Sequence, residues 1–114
     1  MPEKGNGFTE FYILGANGKA EGYPKNLKEG DTAAVIVGVI NGEHAEVQYR
    51  LFVKTGDVII NKIEPITPAK GHKWEQRVSF IPTKTGDNQK VEFLLYKDAG
   101  TYPYLSLNLR IDVK

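Results

Sequence analysis

The chain contains no cysteine. A disulfide framework, a thiolate metal site and a cysteine nucleophile are therefore excluded, while reducing and oxidising compartments both stay open. Long apolar runs are lacking too. The longest, Ala33 to Ile40, spans eight residues, against the roughly 20 needed to cross a bilayer as a helix, so no direct membrane insertion by this segment is expected. Neither sign of charge dominates: 15 basic and 14 acidic residues leave a net charge of +1. That balance supplies no field for steering toward nucleic acid, and no nucleic-acid partner is expected. Met1 to Gly7 is polar and glycine-rich, without the apolar stretch of a signal peptide.

What the sequence has is two-residue alternation between turn clusters. Phe8 to Leu14, Thr32 to Asn41, Glu46 to Lys54, Val58 to Ile63, Lys73 to Ile81, Lys90 to Lys97 and Leu105 to Val113 each read as a strand. The last is the clearest: Leu105, Leu107, Leu109, Ile111 and Val113 alternate with Tyr104, Ser106, Asn108, Arg110 and Asp112. Such a pattern buries one face and wets the other. One sheet would leave every apolar face in water, at about 25 cal/mol per Å². Residues 8–114 are therefore expected to form an all-β domain, a seven-stranded immunoglobulin-like (fibronectin III-like) antiparallel β-sandwich, preceded by a flexible segment at 1–7. Pro65 and Pro68 are expected to end the fourth strand, since proline offers no ladder N–H.

Chemistry-bearing constellations are thin. His44 and His72 lie in or next to predicted turns, each beside glycine and charged residues, where a solvated loop histidine is the ordinary outcome; two isolated histidines without a third ligand at recognisable spacing do not make a zinc site. Asp57, Asp87 and Asp98 occupy turns, where carboxylates bond their own backbone. No phosphate loop or nucleophile elbow is present. No catalytic residue, metal or cofactor is assigned, and a non-enzymatic role is expected.

One surface is more suggestive. The third, sixth and seventh strands of such a sandwich share a sheet, whose outward side would carry Gln48, Arg50, Phe52, Glu92, Leu94, Tyr96, Tyr104 and Ser106. Phe52, Leu94, Tyr96 and Tyr104 would then collect on a nominally wet face. Contiguous exposed apolar area marks contact sites, including self-association; the plainer reading is cross-strand stabilisation. A second possibility is a carbohydrate-binding accessory domain using Tyr102, Tyr104 and Trp74 as stacking platforms, against a plainer role in rigid turns and core. Trp74 is expected in the core.

Several stretches together resemble a known family. They are Thr9-Glu10-Phe11-Tyr12-Ile13-Leu14-Gly15 with Gly18-Lys19-Ala20-Glu21-Gly22-Tyr23-Pro24, Val37-Gly38-Val39-Ile40-Asn41 with Glu43-His44, Trp74-Glu75, Pro82-Thr83-Lys84, Gly86, Asn88-Gln89-Lys90, and Glu92-Phe93-Leu94-Leu95-Tyr96-Lys97. This combination is similar to the soluble domain of domain of unknown function 1616. The resemblance implies a soluble part of a membrane-anchored archaeal or bacterial protein, displayed outside the cytoplasmic membrane, with other cell-envelope proteins or surface glycans as partners. It implies no reaction and no cofactor. Asp98-Ala99-Gly100-Thr101 is shorter than the acidic tip usual before the family's final strand.

Overall fold

A computed structural model describes residues 8–114; the segment 1–7, expected to be flexible, lies outside the described residues. Every regular element is a strand: β1 (Phe8–Gly15), β2 (Asn26–Leu27), β3 (Ala33–Gly42), β4 (Tyr49–Thr55), β5 (Val58–Ile66), β6 (Lys73–Phe80), β7 (Gly86–Lys97) and β8 (Leu105–Val113). They form a three-stranded sheet, β1-β3-β6, and a five-stranded sheet, β2-β8-β7-β4-β5. This is the strand order of an immunoglobulin-like sandwich.

The alternating apolar residues meet in one dry layer. Val35, Val37 and Val39 of β3 face Leu51 and Val53 of β4 and Val91, Phe93 and Leu95 of β7, all at 0% exposure. Phe80 and Phe93 touch edge-on across the layer, ring centroids 6.1 Å apart. Fully burying such a side chain contributes about 1.5–3 kcal/mol. Leu105, Leu107 and Leu109 pack half-buried against this core, as does Trp74. Trp74 is thus at the margin of the core, not enclosed by it.

Three features differ from the sequence expectation. The described residues form eight strands, because Asn26–Leu27 pairs with β8, and it does so in parallel; a two-residue strand carries no readable period. Pro65 does not end the fourth long strand but lies within β5, which runs to Ile66. β5 is the edge of its sheet, where a missing N–H leaves nothing unpaired on the solvent side. β7 begins at Gly86, four residues before the expected start.

Gly38 interrupts the apolar run of β3 for a steric reason. It pairs with Tyr12 of β1, and the Tyr12 ring lies across it so closely that a Cβ at position 38 would fall 2.0 Å from the ring. The Tyr12 hydroxyl then donates to Glu75 Oε2 at 2.6 Å on β6.

Candidate functional site

Antiparallel pairing of β4, β7 and β8 assembles the outer face of the larger sheet. Arg50 lies opposite Tyr96, Phe52 opposite Leu94, and Leu94 opposite Ser106. The rings of Phe52 and Tyr96 meet diagonally, centroids 5.2 Å apart and inclined by 50°. A cation covers each: the Arg50 guanidinium carbon stands 5.0 Å from the Tyr96 centroid, and Lys62 Nζ of β5 stands 6.0 Å from that of Phe52. Arg50 also donates to the Gly100 carbonyl, which ties the 98–104 loop to this face.

Three of the four sequence-derived contact residues therefore come together. Leu94 is closed in by its neighbours, at 9% exposure, so the aromatic surface left on this face is the half-buried pair Phe52 and Tyr96 under their cations. Cation–π contact of this kind stabilises by about 0.5–1 kcal/mol at exposed sites and leaves positive charge presented above an aromatic floor.

Tyr104 is not part of that group. Its hydroxyl donates to Glu43 Oε2 at 2.9 Å, at one end of the sandwich, and Lys97 Nζ lies 4.7 Å above its ring. Glu43 also accepts from Thr9 Oγ1 at 2.8 Å and pairs with Lys97 at 3.2 Å. Thr9 in turn receives the hydroxyl of Tyr49, 2.6 Å away, from a side chain at 0% exposure. Burial alone would raise the Glu43 pKa, but hydrogen bonds from Thr9, Tyr104 and Lys97 outweigh it and hold the carboxyl below its ordinary range. Burial likewise opposes the charge on Lys97, and Glu43 reverses that, pushing its pKa up. Burial raises that of Tyr49. The network is a closed set of mutually satisfied groups, not a set poised for proton transfer.

Asn41 organises the same end. It is wholly buried. Its amide donates at 3.0 Å to the carbonyls of Ala45 and Pro68, and its Oδ1 accepts from the Glu43 N–H at 2.9 Å. Neither Asn41 nor the Glu43 network is readable as a site in the sequence, since Asn41-Gly42-Glu43 has the composition of an ordinary turn.

His44 and His72 are exposed in the loops before β4 and β6. Among the described residues no group of three or more His, Cys, Asp or Glu side chains converges as a metal would require. Of the aromatics considered for stacking on sugar, Tyr102 is 83% exposed, Trp74 packs against the core, and the Tyr104 hydroxyl is taken by Glu43.

With this geometry in hand, comparison with known proteins places the chain. No curated protein matches it. Among solved structures it is similar to the CARDB domain of a Pyrococcus furiosus protein crystallised in complex with di-metal ions: 12% identity over 96% of this chain and 90% of that one, TM-score 0.62. The solution NMR structure of that CARDB domain gives a TM-score of 0.67 at 12% identity, covering 95% of each chain. A part of the Pseudomonas fluorescens alkylpurine DNA glycosylase AlkC, bound to DNA containing an abasic site analog, is also similar: 8% identity, 91% of this chain, 30% of that one, TM-score 0.56. At such identities the likeness is one of fold, and it agrees with the immunoglobulin-like sandwich described above. The model of the family described as domain of unknown function (DUF1616) matches residues 2–112, and the chain belongs to that family.

Proposed function

We propose that this domain is a non-catalytic binding module, displayed outside the cytoplasmic membrane as the soluble part of a membrane-anchored cell-surface protein, and that it engages other envelope components through the outer face of its larger sheet. The observation that carries this reading is the Phe52–Tyr96 ring pair beneath Arg50 and Lys62. It stands on β4 and β7, inside the sheet and paired on both sides, so its geometry is held without a binding partner. Rigid aromatic surface beside arginine is the composition of contact sites. The closed Glu43 network supports a structural role for the polar groups at the sandwich end.

The test is cosedimentation of the purified domain with isolated cell envelopes, native and after protease or glycosidase treatment. Binding that falls at least tenfold in Phe52→Ser/Tyr96→Ser supports the reading, and the treatment that removes it separates protein from glycan partners. Equal sedimentation of the folded variant and the native domain would overturn it.

A further inference from the structure

β2 covers β8 only at Asp112 and Val113, so the N-terminal half of β8 is itself an edge of the larger sheet. Direction is fixed by the pairing that exists. Asp112 and Lys114 donate their N–H groups to Lys25 and Leu27, away from β7. Backbone groups alternate in direction along a strand, so the N–H and C=O of Ser106 and Asn108 point the same way. Among the described residues no strand pairs with them.

Sheets ordinarily blunt such edges with charge, proline or bulges. The edges formed by β6 and β5 do so. β6 carries Lys73, Glu75 and Arg77, all exposed. β5 has two register breaks and contains Lys62, Glu64 and Pro65. Leu105 to Leu109 has no charge, proline or glycine, and its ladder with β7 is regular there. Its inward leucines are half-buried, and Leu107 and Leu109 line a hollow of about 400 Å³ with Phe11, Ile13 and Tyr23.

The geometry points to a second copy of this chain as the occupant. We propose that β8 pairs antiparallel with β8 of another copy about a two-fold axis at Leu107, joining two five-stranded sheets edge to edge. In this register Ser106 lies opposite Asn108 of the second copy, and each pair exchanges two backbone hydrogen bonds. Leu105 meets Leu109, and Leu107 meets its counterpart. Arg110, the one charge between Tyr104 and Ile111, falls beyond the paired residues 105–109 and not opposite another Arg110. The strand is thus complementary to itself in reverse, as an isologous interface requires, and a net charge of +1 per chain opposes the encounter little.

Sedimentation equilibrium from micromolar to millimolar concentration, with amide exchange at Ser106 and Asn108, tests this. A dimer is expected, with exchange at both amides slowing as concentration rises. Ser106→Lys/Asn108→Lys sets like charges opposite on an exposed face and should weaken association at least tenfold. Ser106→Lys/Asn108→Glu sets opposite charges there and should restore it. Near-ultraviolet circular dichroism establishes that both variants are folded. A monomer throughout the range, or a dimer indifferent to the Lys/Lys variant, would overturn the proposal; so would edge binding by a foreign peptide strand without self-association.

Discussion

Tyr104 and Glu43, 61 residues apart in the chain, are joined by a 2.9 Å hydrogen bond from phenol to carboxylate. Glu43 is the shared acceptor for Thr9, Tyr104 and Lys97, so its charge state decides whether β1, the end of β7 and the segments before β4 and β8 are held to one another. A carboxyl whose folded pKa is lowered contributes stability above its unfolded pKa and loses it as pH falls through the folded value. The melting temperature should therefore fall on acidification, and less steeply in Glu43→Gln, with the two curves converging at low pH. At neutral pH, Glu43→Ala should cost about 2 kcal/mol, because it strands hydrogen-bond donors that are partly shielded from water. Thermal melts across pH check both.

Tyr12 titrates in the opposite sense. Burial first, then its hydrogen bond to Glu75, raises its pKa to about 12. A raised phenol pKa means that ionisation is less favourable in the folded state, so stability declines as pH climbs above the ordinary tyrosine value of about 10. Gly38→Ala places a methyl where the ring now lies. It should cost about 1–3 kcal/mol and return the Tyr12 titration toward the ordinary range, read by ultraviolet absorbance of the phenolate. An unchanged titration in a folded variant would count against the ring's position.

Trp74→Ala should destabilise by about 2–3 kcal/mol, less than the 3–5 kcal/mol typical of removing a fully enclosed ring. Phe93→Ala, from a site at 0% exposure, should reach that larger loss. Urea unfolding of the two variants side by side measures the difference, and equal losses would place Trp74 deeper than described.

The Phe52–Tyr96 contact should show a coupling of about 0.5–1 kcal/mol in a double-mutant cycle with serine replacements. Strict additivity would mean that the two rings rest on the sheet independently and that their shared orientation owes nothing to mutual contact.

How much of this was legible in the sequence follows from length and parity. In β4, β8 and the second half of β7, successive side chains point to alternate faces, so Ile111 and Val113 could be assigned to the inward face and Phe52 and Tyr96 to the outer one. Parity also put Tyr104 on that face, and there it failed. Tyr104 precedes Leu105, the first residue of β8 to face a β7 partner; outside the ladder its side chain is released from strand geometry and reaches Glu43. β2 was invisible because two residues cannot express a period, and Pro65 misled because its effect depends on whether the strand is an edge, which is a property of the whole sheet. Glu43 and Asn41 gave no signal because their role comes from distant segments arriving at one place.

Asn41 has a consequence of its own. Its backbone bonds to Gly71 and His72 while its side chain reaches Ala45, Pro68 and Glu43, so one amide is the keystone where two connecting segments rest. Replacing it with an apolar residue would not open a single gap. It would unseat both segments together, leaving the strands standing and that rim of the domain without a fixed shape.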